Sequence, residues 1–256
     1  MPKGLTLDYW SYFPEDDAHY VRDIRRFREH GFEPIVSPAL WNWDRFWGIY
    51  DKAKRTYEPM LRAAKAQGVR RVLMTMWGDD GAEAPYRSNL PGITQYAEHC
   101  FRAVPAETDV ARMVWTLSGD SLDSFLLPTS LDCPDAIALR DNGNFAKTFT
   151  WDDPLLGMFA SHLADRPMTA HHRALTVRLR AQARRAAPRN RLLISFAAEL
   201  AACLAHKADL HPRARPEHPR IRRETAQLPG QLSVPRPQIS RYGVTGIQHL
   251  GLAHAL

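Results

Sequence analysis

The stretch VRRVLMTMWGDDGAEAPYRSNLPGITQYAEHCFRA, residues 69–103, decides the fold. Val69–Met76 is apolar and β-branched enough to read as a strand, a loop of aromatic and acidic residues follows from Trp77 to Gly92, and a helical pattern continues to Ala103. The same order occurs twice upstream. Leu5–Phe13 (LTLDYWSYF) alternates Leu5, Leu7, Tyr9 as a strand does and is ended by Pro14. Asp16 or Asp17 can then cap a helix whose apolar face is Tyr20, Ile24 and Phe27 with Val21 beside it, stopped by His30-Gly31. Glu33–Ser37 (EPIVS) reads as a short buried strand, LWNWDRFWGIY (residues 40–50) as an aromatic loop, and Tyr50–Gln67 as a second helix ending on Gly68. Three strand–loop–helix units in succession predict an α/β fold with a parallel sheet and helices outside it. In a closed (β/α)8 barrel the loop after each strand lines the active site, and the unusual side chains here fall in those loops.

Further along, residues 104–165 hold short elements and several prolines, and Asp152 or Asp153 can cap a short helix starting at Pro154. Residues 169–187 are Arg- and Ala-rich and helical in pattern. Pro188-Arg189-Asn190 reads as a break, and residues 191–206 as an amphipathic helix with Leu192, Leu193, Phe196, Leu200 and Leu204 on one stripe. From His211 onward no helix or strand pattern persists. The tail reads as disordered, and its Pro/Arg/His bias suggests an out-of-frame translation. The organisation expected is therefore 1–110 β/α units, 111–208 an α-helical domain and 209–256 an irregular tail.

Composition narrows the class. The 256 residues are 45% hydrophobic and 24% charged, ordinary for a globular protein, with no apolar run long enough to span a membrane. The start, MPKGLTLDYW, lacks a signal-peptide pattern, and Met1 reads as an internal methionine of a longer frame. Cys100, Cys133 and Cys203 are odd in number and widely spaced, so a reducing, cytoplasmic setting is expected rather than a disulfide framework. The net charge of +6 is unevenly held. Residues 166–256 carry 16 Lys and Arg against 4 Asp and Glu. Arg184, Arg185, Arg189 and Arg191 could meet an anionic partner, but a solvated helix face is the simpler reading. Without a recognition-helix motif, an RNP-type strand or a zinc knuckle, no nucleic-acid partner is expected.

The loop chemistry points to sugar. Tyr9, Trp10 and Tyr12, then Trp41, Trp43, Asp44, Phe46 and Trp47, then Trp77, Asp79, Asp80 and Glu83 combine aromatic planes with carboxylates at strand ends. Pyranose C–H faces stack on indoles, and carboxylates accept from hydroxyl pairs. GxGxxG, Walker A and HExxH are all missing, so no cofactor is expected. Asp79, Asp80 and Glu83 lack the His or Asn companions of a metal site, and no metal is expected. His19, His30 and His99 fall on helical segments and read as surface residues.

TMWGDDGAEA…LPGITQYAEHCF (residues 75–101) resembles the last barrel strand, loop and helix of bacterial exo-β-N-acetylhexosaminidases of glycoside hydrolase family 20, in the branch with a C-terminal helical domain. LDYWSYF is similar to that branch's Tyr-Trp-Asp-Tyr-Tyr strand end, PALWNWDRFWG to its Gly-Ala-Trp-Thr-Trp loop, and WDDPLLGMF to the start of its helical domain. The resemblance implies the last three β/α units of a partial (β/α)8 TIM barrel followed by an α-helical domain. It implies hydrolysis of terminal non-reducing N-acetylhexosamine residues by substrate-assisted retaining catalysis, a known exception to the two-carboxylate rule. The family's catalytic Asp-Glu pair follows the fourth barrel strand, and no Asp-Glu dipeptide occurs in this chain, so no catalytic residue is assigned. What the resemblance leaves is a binding set: Tyr9 for the acetamido group, Trp43 walling its methyl, Trp77 under the sugar, Asp79 on its outer hydroxyls, with Trp10 and Glu83 as weaker members. Ser11 stands where the family has a carboxylate, and Pro38 and Leu40 replace small residues. The expected partner is an N-acetylhexosaminide. Without the Asp-Glu pair the chain alone is expected to be inactive, and because three units cannot close a barrel it is expected to be marginal, aggregation-prone or dependent on a partner, a homo-oligomer or a complementing barrel half. A non-catalytic carbohydrate-binding protein is the alternative.

Overall fold

The computed structural model describes residues 4–132, 145–153 and 168–214, all within one compact unit that spans Met1–Ala214. The expected helix at Pro154 and the tail after 214 lie outside the described residues.

The three units run in the expected order: β1 (Asp8–Trp10), α1 (Asp17–Glu29), β2 (Ile35–Ser37), β3 (Ala39–Leu40), α2 (Tyr50–Ala66), β4 (Thr75–Met76) and α3 (Leu90–Phe101). β1 pairs parallel with β2, Tyr9 opposite Val36, and β3 pairs parallel with β4, Leu40 opposite Met76. A further parallel bridge joins Val36 to Val72. Ile35–Leu40 is thus a central extended segment, bonded on one side to the first unit and on the other to the third. Pro38 divides it. Lacking an N–H, it cannot donate to a ladder, but its carbonyl accepts from Thr75 N at 2.9 Å.

The strands are shorter than the sequence pattern suggests. The strand expected over Val69–Met76 is reduced to the bridge at Val72 and the pair at Thr75–Met76, because among the described residues it has a neighbour on one side only. The described residues are mostly helical and contain no barrel; of the expected partial barrel, only short parallel pairings between successive units are found.

The helices follow local rules. Asp16 is the N-cap of α1, its carboxylate accepting from His19 N at 2.7 Å. Gly31 and Gly68 take left-handed φ of 82° and 65° just past α1 and α2, a conformation that costs glycine nothing. On the helix side of the sheet, Tyr9, Val36, Tyr20, Ile24 and Met60 form one cluster, while Leu40, Ala53, Tyr57 and Leu61 form another. His99, read as a surface residue, is instead 4% exposed. Packing of α3 on α2 encloses it, with Lys65 Nζ at 3.0 Å from its Nδ1.

The rest is helical: α4 (Glu107–Ser118), α5 (Leu122–Leu126), α6 (Phe145–Trp151), α7 (Met168–Arg185) and α8 (Pro188–Ala214). α7 and α8 are joined by two residues into a helical hairpin. Pro188 does not merely break the chain. It opens α8 at the position where a missing N–H is harmless. The Asp120 carboxylate accepts from Ala187 N at 3.0 Å and from the Asn190 amide, fixing this corner to the turn after α4. The stripe expected on α8 is rotated. Ile194, Ala197, Ala198, Ala201, Leu204 and Ala205 are buried, whereas Leu192 is 78% and Phe196 43% exposed. Small alanines let two helices approach closely, so the hairpin seats its alanine face and leaves the bulkier residues at the margin.

Gly92, near the start of α3, abuts Leu40. A Cβ at Gly92 would lie 2.5 Å from Leu40 Cδ2, and Leu40 is itself 1% exposed among Ala53, Tyr57 and Leu61. Gly92→Ala should lower stability by about 1–3 kcal/mol through overpacking, read as a lower urea midpoint with unchanged helical circular dichroism.

Candidate functional site

Alternation along β1 sorts its side chains between two faces. Tyr9 turns toward α1 and is buried against Tyr20 and Phe27, its hydroxyl donating to Asp23 Oδ2 at 2.7 Å. Burial and the nearby Asp23 carboxylate raise its pKa far above that of a free phenol. Asp8 and Trp10 point the other way, and Asp8 accepts a hydrogen bond from the buried Ser37 hydroxyl. The structure therefore separates Tyr9 from the other residues of the expected binding set.

On the face opposite Tyr9, aromatic rings from all three strand ends meet. The Trp10 ring lies 5.5 Å from that of Tyr12, and Tyr12 lies 5.4 Å from Trp43 and 6.5 Å from Trp77. Trp43 stacks on Trp41 at 4.5 Å, and Lys52 Nζ sits 3.7 Å above the Trp41 ring, a cation–π contact. Trp77 Nε1 donates to the Tyr12 hydroxyl at 2.7 Å, and Asn42 Nδ2 donates to the Trp77 carbonyl at 2.7 Å. Trp10 and Trp77 are each 46% exposed, so this wall keeps open ring surface. Behind it, Trp41 Nε1 and Asn42 Oδ1 are buried without hydrogen-bond partners. Tyr12 is the hub, and it was not in the expected set. Its position two residues beyond Trp10 on an alternating strand end was the signal that places it on the same face.

The two remaining members sit on one loop. Asp79 is exposed, and the turn after it is tight: Asp80, Gly81 and Ala82 have φ of 56°, 102° and 55°. Left-handed backbone costs a residue with a Cβ about 1–2 kcal/mol, so something must hold this turn. Glu83 does so. Its carboxylate occupies the space a Gly81 Cβ would fill, and it receives Lys147 Nζ of α6 at 3.0 Å.

The other aromatic residues of the second loop belong to the core. Phe46 and Trp47 lie in the helical cluster with Val110, Phe125 and Phe149, and Trp47 Nε1 donates to the Phe125 carbonyl at 2.9 Å. Between them and the wall lies a buried charge group. Arg45, 1% exposed, donates from Nε to Asp44 Oδ1 at 2.9 Å and to the Trp43 carbonyl at 3.3 Å. Burial pushes the Asp44 carboxyl up. Asp132 accepts from Ala146 N at 3.0 Å, and its burial raises its pKa to about 7, against the pull of Arg45. Among the described residues no group of His, Cys, Asp and Glu is placed to hold a metal ion.

An open aromatic surface with flanking carboxylates can take a sugar ring by its C–H face and hydroxyls. Residues 123–225, which include most of the helical part, match the family described as Glycoside Hydrolase 20C C-terminal domain. No curated protein matches the chain. The match likens the helical part of the chain to the C-terminal domain of glycoside hydrolase family 20 proteins. The matched segment runs beyond residue 208, the expected end of the helical domain, to residue 225.

Asp132 gives a pH test. Its native pKa of about 7 lies above the ordinary carboxyl value of 3.8, so between these values the folded chain binds more protons than the unfolded one. Stability from this group is greatest at low pH and declines as pH rises through 7. Relative to Asp132→Asn, the wild-type chain should lose urea stability between pH 5 and pH 8. A difference between the two that does not change with pH would show that Asp132 is ionised throughout.

Proposed function

We propose that this chain is the sugar-binding portion of a β-N-acetylhexosaminidase, three terminal β/α units of a barrel together with the helical domain. The observation that carries the reading is the aromatic wall of Trp10, Tyr12, Trp43 and Trp77 at the ends of successive parallel strands, beside a helical part that matches the family 20 domain. In this reading Trp77 stacks on the terminal N-acetylhexosamine, Trp43 walls its acetamido methyl and Asp79 accepts from its outer hydroxyls. Trp10 extends the wall and Glu83 braces the loop. Tyr9 does not contact the sugar directly, because its hydroxyl already donates to Asp23.

Hydrolysis would be substrate-assisted. The 2-acetamido oxygen attacks the anomeric carbon while a glutamic acid protonates the leaving oxygen, and water then opens the intermediate with retention. Neither member of the family's Asp-Glu pair is in the chain, so turnover needs a complementing barrel half that carries it. A reducing, cytoplasmic setting belongs to the same proposal, in keeping with the exposed free thiols of Cys100 and Cys203. The missing dyad also favours a second reading, a carbohydrate-binding protein without catalysis.

The purified chain should not hydrolyse a chromogenic β-N-acetylglucosaminide, yet N-acetylglucosamine should change its tryptophan fluorescence saturably. Trp77→Ala should weaken that binding about tenfold through lost ring stacking. Turnover by the chain alone would refute the need for complementation, and silence in both assays would refute the sugar wall.

A further inference from the structure

A cleft of about 1000 Å³ is lined by the start of α2, the turn joining α4 to α5, and α7. That is ample for an extended ligand. The Trp115 indole, 60% exposed, lies along it. Lys52, Arg55, Arg178 and Arg185 line it against Asp51 and Asp123. A further lining carboxylate, Asp120, is already engaged by Ala187 N and Asn190. Arg55, Arg178 and Arg185 are exposed and make no ion pair among the described residues, unlike Arg180 on the same helix, which forks onto Glu199. Gln182 also lines the cleft, with its amide oxygen buried beneath the surface.

We infer that this cleft binds an acidic saccharide, which rests in part on the sugar-binding reading proposed above. An exposed indole suits a pyranose face, and unpaired guanidinium forks suit its carboxylates. Continuity with the wall supports a chain rather than a single sugar. Lys52 lines the cleft and also covers the Trp41 ring, which stacks on the wall residue Trp43. A glycan whose terminal residue lies on Trp77 can therefore extend past Lys52 to Trp115. The cleft selects uronic-acid-bearing chains over neutral ones, a preference that nothing in the wall itself provides.

The test is calorimetric titration of the full chain with a hyaluronan hexasaccharide, which alternates glucuronate with N-acetylglucosamine, against neutral chitohexaose. The hyaluronan oligomer should bind about tenfold more tightly at low salt and lose that advantage as salt rises. Arg178→Gln with Arg185→Gln should bring the two ligands to parity, and Trp115→Ala should weaken both; all three sites are exposed, so these variants fold. Equal affinity for the two oligomers, or binding of inorganic sulfate as strong as that of hyaluronan, would overturn the proposal. Tighter binding of single-stranded oligothymidylate would also overturn it, reassigning the cleft to nucleic acid. Fluorescence titration with N-acetylglucosamine, which reports on Trp77, separates a failed cleft from a failed wall: the cleft variants should leave it unchanged.

Discussion

Trp47 is the side chain on which the arrangement depends. Its indole is 1% exposed inside the helical core, and its N–H donates to the Phe125 carbonyl across 78 positions of sequence. A buried indole removes a large apolar surface from water, and its one polar atom must find a partner there. Both conditions are met only if the second loop lies against α5 and its neighbours. With Phe46 and Trp47 drawn inward, the preceding residues Trp41 and Trp43 remain on the opposite side, where they stack on each other and on Tyr12. The helical part thus orients the wall, although none of its own residues belong to it.

The same junction holds charge. Burying Arg45 with Asp44 and Asp132 carries a desolvation cost that hydrogen bonds must offset. Arg45 meets part of it by donating to Asp44 and to the Trp43 carbonyl, and Asp132 meets part by accepting from Ala146 N. Breaking one member would leave the others uncompensated. The group therefore ties the backbone of a wall residue to α6, and Glu83 with Lys147 ties the third loop to the same helix. Two loops from different strand ends are in this way referred to one rigid element, which suits a surface that must keep rings at fixed separations.

The sheet itself contributes little cohesion. Its pairings are two or three residues long, and the first and third strand segments each have a partner on one side only among the described residues. Short parallel ladders with free edges are weak on their own. Their role here is placement: parallel direction sends all three loops to one end, and the pleat sends Trp10 and Tyr12 to the face opposite α1. The packing of α1, α2 and α3 then carries the stability that the strands do not.

Much of this was legible in the sequence, because the signals were local. Strand, loop and helix follow one another three times, Asp16 caps and Gly31 and Gly68 terminate where their backbone preferences demand, and the aromatic residues cluster past strand ends. Those features depend on neighbours within a few positions. The facing of side chains does not. Tertiary contact alone decided that Tyr9 turns to Asp23 while Tyr12 joins the wall, that Phe46 and Trp47 fill the core rather than the site, and that His99 is enclosed between helices. It also decided that α8 buries its alanines instead of Leu192 and Phe196. In each case the partner lies on another element, and the competition for buried surface among distant segments is not written in any one of them.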